Sequence, residues 1–248
     1  MVKDSNPFIS QLKHKDVSIR RRAVRTLFEM DEPQNLDLFH PLLSDKDSWF
    51  RSKALEAHRM WANKIGIKSL EFLASHKSID AKRCAANLLE EFDEDSSDIA
   101  KILLKQDDFI CQIKATKALV KYDVDGKYTQ QFLSSDNEKI VSIALSSEKI
   151  TKEQLIESLK LKSTYVKNVV LKKLYNYDYS IDDEILLKLF NEGVDGKEII
   201  PFAINNESKC LIELAKSNDS KIIKKLVLEL KNRFDSIEQS VIKLLKEN

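Results

Sequence analysis

Asp16–Met30 carries the sequence DVSIRRRAVRTLFEM, and three further copies of this pattern follow it along the chain. They are DSWFRSKALEAHRMW at Asp47–Trp61, SIDAKRCAANLLEEF at Ser78–Phe92 and DFICQIKATKALVKY at Asp108–Tyr122. The first two steps are 31 residues long and the third is 30. A nearly fixed period of this length is typical of stacked helical repeats, in which each unit contacts only its neighbours.

The apolar residues inside each copy have helical spacing. When each copy is numbered from its opening polar residue, apolar side chains recur at positions 4, 8, 11 or 12, and 15. Steps of three and four residues predict one buried face of an α-helix. The opening Asp or Ser is a good N-cap, and position 8 is always alanine, which lets a neighbouring helix approach closely. In the first copy this pattern predicts that Ile19, Ala23, Leu27 and Met30 are buried.

Shorter amphipathic segments separate the copies and predict a second helix in each unit, at about residues 33–43, 66–75, 96–105 and 125–133. The second half keeps this plan with less regular lettering. Thr151–Gln154 resembles a capping box, Pro201 makes residues 181–204 the least regular unit, and Ser236–Leu245 is predicted to be a closing helix. We expect about eight helix pairs in one domain over residues 1–248, well formed at 8–122 and divergent at 123–248.

The composition argues against a β-sheet protein, a disulfide-bonded protein and a membrane protein. Four Gly and four Pro leave little turn chemistry for β-hairpins. Lys and Arg number 41 against 40 Asp and Glu, so no overall field favours nucleic acid or an anionic membrane. The cysteines Cys84, Cys111 and Cys210 are far apart, as is typical of reduced thiols. No apolar run approaches the ~18 residues of a membrane span, and no signal peptide is evident. These features predict a cytoplasmic protein without membrane contact.

The pattern Asp-x-x-apolar-Arg-x-x-Ala-x-x-x-Leu, which begins at Asp16, resembles the HEAT repeat. The short period is most similar to the HEAT-like class of phycobilisome lyases and prokaryotic scaffold proteins. This resemblance implies an all-α, right-handed α-solenoid whose second helices line a concave surface. It also implies bonds between positions 1 and 5 of neighbouring repeats, which involve Asp16, Arg20, Asp47, Arg51 and Lys82.

Two enzymatic relatives can be compared by residue. Deoxyhypusine hydroxylase-like HEAT proteins bind iron through His-Glu pairs, but Glu follows none of His14, His40, His58 and His76. No two of these histidines are three or four residues apart on one helix, as a metal site on a helix requires. No motif connects the chain to a bilin. The sequence therefore predicts no catalytic residues, no metal and no cofactor.

A basic stripe is the strongest candidate site. Positions 3, 7, 10 and 14 are predicted to face the concave side, and seven of the eight arginines precede residue 84. Arginine binds carboxylates and phosphates in a two-pronged geometry. The alternative is that these charges only solvate a helix face and pair with nearby acids. The predicted partner-binding residues are Arg22, Arg25, Trp49, Lys53, Lys114 and Lys117.

Two functions are compatible with this stripe. The first is a non-catalytic adaptor that binds an acidic or extended segment of a protein partner. The second is a nucleic-acid-binding protein, and one version of it resembles the HEAT-like alkylpurine DNA glycosylases. In that family, tryptophans and an aspartate lie on a basic concave face, which draws attention to Trp49 and Asp80 at position 3 of adjacent repeats. Asp80 is also explained as a first-turn acid that interacts with its own helix dipole.

Overall fold

The computed structural model of the chain describes residues 7–177, 179–217 and 219–232. Every regular element in these ranges is an α-helix or a 3-10 helix, as the repeat pattern predicts. The chain divides into two compact units, of which the first ends at Asp123 and the second begins at Val124. That residues 1–248 form a single domain stays a prediction.

In the first unit, four longer helices carry the repeated motif and lie beside one another in chain order. They are α2 (Val17–Met30), α3 (Ser48–Ile65), α5 (Ile79–Leu88) and α7 (Phe109–Lys121). Each follows a shorter partner, namely α1 (Pro7–Leu12), the 3-10 helix Pro33–Ser44, the 3-10 turn Ile67–Leu70 with α4 (Glu71–Ser75), and α6 (Ser97–Leu104). A 3-10 turn, Leu89–Glu91, extends α5.

The second unit repeats this arrangement with four further pairs. They are α8 (Lys127–Leu133) with α9 (Glu138–Leu145), α10 (Lys152–Ser158) with α11 (Thr164–Tyr175), α12 (Asp183–Asn191) with α13 (Gly196–Asn205), and α14 (Cys210–Lys216) with α15 (Ser220–Asn232). The described residues thus contain eight pairs, as predicted. The least regular unit forms a complete pair, and Pro201 lies inside α13. The predicted closing helix Ser236–Leu245 lies outside the described residues.

The predicted helix starts are confirmed by their hydrogen bonds. The side chains of Asp16, Asp47 and Asp108 each accept a bond from a backbone N–H in the first turn of the following helix. Ser78 makes no such bond. Thr151 forms the predicted capping box at the start of α10. Each cap satisfies a donor that the helix itself leaves free, and typically contributes ~1 kcal/mol.

Position 8 is buried in all four copies. The alanines at this position are at most 1% exposed: Ala23, Ala54, Ala85 and Ala115. The prediction that Met30 is buried is wrong, because 40% of this residue is exposed. Phe28 packs between the first two repeats instead, because its ring centroid lies 5.3 Å from those of Phe39 and Trp61. We call this contact between the repeats the seam.

Arg–Asp pairs connect neighbouring repeats, although one position later than the family resemblance implies. Arg21, at position 6, donates to Asp47 of the next repeat at 3.0 Å. Arg83, at the same position two repeats later, donates to Asp108 at 2.7 Å and 3.0 Å. The hydrogen bonds from Arg83, with the backbone bond at the helix start, lower the pKa of Asp108 to about 2.

The residues at position 5 stabilise the loop that joins the repeats. Arg20 pairs with Asp45, and Arg51 donates to the backbone carbonyls of Asp45 and Lys46 at 2.7 Å and 2.9 Å. Lys82 donates to the Gln106 side chain. Within the described ranges, no helix combines the length and apolar character needed to cross a membrane.

Candidate binding face

We use the name binding face for positions 3, 7, 10 and 14 of the four long helices of the first unit, which the sequence predicts to bind a partner. Helical periodicity puts these positions on one side of each helix, and the helices are neighbours. In helix order its residues are Ser18, Arg22, Arg25 and Glu29 (α2), Trp49, Lys53, Glu56 and Met60 (α3), Asp80, Cys84, Asn87 and Glu91 (α5), and Ile110, Lys114, Lys117 and Lys121 (α7).

The two arginines of α2 are the accessible cations of this face. Arg22 and Arg25 are exposed and stand three residues apart, so they occupy the same side of the helix. Among the described residues, neither forms an ion pair or a side-chain hydrogen bond. Their guanidinium groups are therefore available to a carboxylate or a phosphate.

Trp49 is held by its neighbours and presents only part of its ring. The guanidinium carbon of Arg21 lies 5.3 Å from the centre of the Trp49 ring. The ring meets that of Phe50 edge to face, with centroids 5.0 Å apart. Trp49 is half-buried. Its neighbours already hold the ring in one position. A ligand can therefore contact an aromatic surface that loses little conformational freedom on binding.

The three predicted lysines already contact acids of this chain. The Lys53 ammonium lies 2.7 Å from Glu56. Lys114 and Lys117 share Glu90, at 2.6 Å and 3.2 Å. The hydrogen bond from Lys114 is the largest cause of the lowered pKa of Glu90. The alternative of solvated charges paired with nearby acids thus describes these lysines better than it describes the arginines.

The third helix of the face is acidic. Asp80 on α5 and Glu91 in the 3-10 turn that extends it are exposed, and neither forms an ion pair with a described residue. Cys84, expected at an exposed position, is 3% exposed and lies against the Leu55 carbonyl oxygen at 3.9 Å. All three cysteines are buried. Burial raises the pKa of the Cys84 thiol, so it is not a reactive thiolate.

Asp80 lies beside a small cavity between α3 and α5. Asp80 lines a cavity of about 20 Å³ with Arg51, Leu55 and three further residues, and Trp49 is not among them. A space of this size holds about one water molecule. This cavity is too small for a flipped base.

A stack of imidazole and phenyl rings lies on the other side of α3, and its arrangement was not predicted. The His40 ring stacks on Phe72 at 4.0 Å and on His58 at 5.3 Å. His58 is fully buried, with Nδ1 2.8 Å from the Ala54 carbonyl oxygen. Desolvation lowers the pKa of His58 to about 4. The histidines stand 18 residues apart, a spacing unrelated to the repeat period, so the sequence offered no signal.

Metal-ligating side chains are not clustered in the described part of the chain. No three His, Cys, Asp or Glu residues there are arranged to hold a metal ion.

Comparison with known families agrees with this architecture. Residues 5–65 match a family model described as HEAT repeats. The first two repeats of the chain are thus similar in sequence to HEAT repeats. This match confirms the predicted resemblance to the HEAT repeat, and the helices of the structure agree with the predicted all-α solenoid. A closer relation to the phycobilisome lyase class stays a prediction.

The other comparisons add little to the HEAT-like assignment. A crystal structure of an engineered protein matches 97% of this chain and 95% of its own, at 17% identity and a TM-score of 0.26. A superposition this poor carries no argument about fold or function. No curated protein matches the sequence.

HEAT repeats commonly mediate protein interactions, and the fold is typically non-catalytic. The assignment therefore supports a general scaffold or adaptor role. It specifies neither the partner nor the surface that binds it.

Proposed function

We propose that this HEAT-like protein is a non-catalytic cytoplasmic adaptor that binds an acidic or extended segment of a protein partner on the binding face. The segment contacts two arginines, a fixed aromatic ring and three lysines, without a cofactor. These residues are Arg22, Arg25, Trp49, Lys53, Lys114 and Lys117.

One observation carries the proposal. Arg22 and Arg25 are exposed, lie on the same side of α2, and have no acidic partner among the described residues. Three other arginines of this unit, Arg20, Arg21 and Arg83, do have one. A structural role explains Arg20 and Arg21, which pair with Asp45 and Asp47. It does not explain Arg22 and Arg25, so a carboxylate from outside the chain is their best-supported partner.

The lysines make a smaller contribution in this proposal. An incoming carboxylate must compete with Glu56 for Lys53 and with Glu90 for Lys114 and Lys117. Exposed ion pairs of this kind contribute ~0–1 kcal/mol. Exchange of one carboxylate for another therefore changes the free energy of binding little.

The acids of α5 argue against a nucleic-acid partner. A phosphate backbone that follows the face from α2 to α7 passes Asp80 and Glu91, which are exposed and unpaired among the described residues. Like charges at an interface suppress binding. The charge of the face therefore disfavours a polyanion long enough to reach α5, and favours a protein segment whose acidic residues do not lie opposite Asp80 and Glu91.

The test measures fluorescence anisotropy of a Glu-rich peptide and of a single-stranded DNA against the full chain. Arg22→Glu/Arg25→Glu should weaken peptide binding at least about tenfold, because it converts two attractions into repulsions. The matched control is Lys68→Glu/Lys105→Glu. It makes the same change in net charge at exposed lysines outside the binding face, and should leave peptide binding within about twofold.

Equal loss of peptide binding in both variants would show that only net charge matters, and would contradict the proposal. Tighter binding of the DNA than of the peptide, with steep salt dependence, would favour the nucleic-acid function instead.

A further inference from the structure

The charge of the binding face changes sign from helix to helix. We call the residues of the face that one helix contributes a row. The α2 row carries Arg22, Arg25 and the acid Glu29, so its net charge is positive. The row of α5 and the 3-10 turn that extends it carries Asp80 and Glu91, which form no ion pair among the described residues. The other two rows differ from both.

The α3 row is neutral, because Lys53 and Glu56 pair with each other at 2.7 Å. What remains accessible there is apolar: part of the Trp49 ring and Met60, which is 44% exposed. Methionine adapts to irregular apolar partners, so this row suits an apolar side chain.

The α7 row is basic. Lys114, Lys117 and Lys121 stand against a single carboxylate, Glu90. Two of the three lysines already share that carboxylate, and Lys121 donates to the Phe92 carbonyl oxygen at 3.4 Å. The row therefore keeps an excess of positive charge, in contrast to the acidic row beside it.

Helix packing sets the spacing of these rows. Packed helices lie about 8–10 Å apart, and an extended chain advances about 3.3 Å per residue. A peptide that crosses the helices in an extended conformation thus moves from one row to the next in about three residues.

We propose that the partner segment crosses the helices of the binding face in an extended conformation and presents acidic, apolar, basic and acidic side chains at intervals of about three residues. The inference rests on the proposed function, since it specifies the segment that this face binds. Electrostatic complementarity fixes its register, because a shift by one row brings like charges together at α2 or α5.

The test uses synthetic peptides of equal length and composition in which only the order of the charges differs. One carries Glu, Leu, Lys and Glu in four successive triplets filled out with serine. The second carries the same triplets in reverse order, since the chain direction on the face is open. The third places Lys in the first triplet and Glu in the third.

In anisotropy titrations against the full chain, one of the first two peptides should bind at least about tenfold more tightly than the third. Asp80→Lys/Glu91→Lys should abolish this preference and favour a peptide with Glu in the triplet that faces α5. The matched control, Glu71→Lys/Asp107→Lys, reverses two exposed acids outside the face and should preserve the preference. Circular dichroism of each variant verifies the helical fold.

The outcomes separate the two proposals. Equal affinity for all three peptides, with binding still lost in Arg22→Glu/Arg25→Glu, refutes the order of charges and leaves the adaptor function standing. Equal affinity that is insensitive to those arginines refutes both. No binding of either ordered peptide at millimolar concentration also overturns the inference, while the Glu-rich peptide independently tests the function.

Discussion

The two units share a plan of stacked helix pairs but connect neighbouring repeats with different side chains. The first unit uses arginine and aspartate, as in Arg21–Asp47 and Arg83–Asp108. The second uses the lysine–glutamate pairs Lys167–Glu192 and Lys172–Glu198, together with hydrogen bonds to backbone groups. Helix geometry thus fixes where a connecting side chain must stand, whereas several residue types can make the connection.

Lysine and asparagine make the connections of α11. Lys173 donates to the backbone carbonyls of Leu145 and Ser147 at 2.8 Å and 2.6 Å. The Asn168 side-chain oxygen accepts from the Asp195 backbone N–H at 3.0 Å. These partners stand 26 to 28 residues apart in sequence, close to one repeat. The same distance in the first unit separates Arg21 from Asp47.

The largest effect is expected at the seam of the first unit. Trp61 is fully buried and donates from its ring N–H to Asp31 at 2.7 Å. Trp61→Ala should lower the free energy of unfolding by about 3–5 kcal/mol, because it leaves a cavity beside Phe28 and Phe39. Urea denaturation followed by circular dichroism measures the loss.

Trp61→Phe is the matched variant, since it keeps an aromatic ring and removes the hydrogen bond. It should cost clearly less than the alanine variant. Equal losses would mean that the bond to Asp31, and not packing, holds the seam.

The second largest effect is expected on acidification, which should destabilise the first unit more than the second. All four histidines belong to the first unit, and the pKa of buried His58 is lowered to about 4 from an ordinary 6.5. Between these pH values the unfolded chain binds more protons than the folded one, so stability falls as the pH falls. The loss amounts to about 3 kcal/mol when complete.

Hydrogen exchange at pH 7 and pH 5, corrected for intrinsic rates, measures this difference. Amides of α3 and the 3-10 helix Pro33–Ser44 should lose protection at pH 5, whereas amides of α11 and α13 should not. His14→Gln, at an exposed histidine, should preserve the loss. Equal loss of protection in both units would exclude His58 as its cause.

The connections between repeats should differ in energy with their burial. The Lys167 side chain is 5% exposed, whereas those of Arg21 and Asp47 are 42% and 33% exposed. Glu192→Ala should cost about 1.5–3 kcal/mol, because it leaves a buried ammonium group without its charged partner. Arg21→Ala should cost ~0–1 kcal/mol. Urea denaturation compares them, and the reverse ranking would contradict the assignment of burial.

The smallest effect concerns a helix cap of the second unit. Thr151→Ala removes the side-chain half of the capping box at α10 and should cost about 1 kcal/mol. Thr151→Ser keeps the hydroxyl and should restore most of this stability in the same assay. If serine is as destabilising as alanine, the hydroxyl does not stabilise this helix.

The sequence predicts the helix pairs well because local signals specify them. Asp16, Asp47 and Asp108 cap helices wherever the repeat places them, and the alanines at position 8 are buried because the helical period leaves them no other side. The burial of Met30 was predicted wrongly, because either Met30 or Phe28 could fill the seam. The shape of the neighbouring helix decides between them.

The sequence predicts the binding face only in part. It places Arg22 and Lys53 on one side of their helices, but pairing decides which of them is accessible. Glu90 stands 24 residues from Lys114 and neutralises it across a helix boundary. Contacts of this kind depend on the packing of one helix against the next, which residue periodicity does not specify.

Photo-crosslinking tests most directly the claim that recognition belongs to the first unit. The Glu-rich peptide, with a benzophenone at its centre, is irradiated with the full chain, and adducts are mapped by mass spectrometry. The account predicts adducts on the helices of the binding face, α2, α3, α5 and α7, and their loss in Arg22→Glu/Arg25→Glu. Adducts concentrated on α8 to α15 would contradict it.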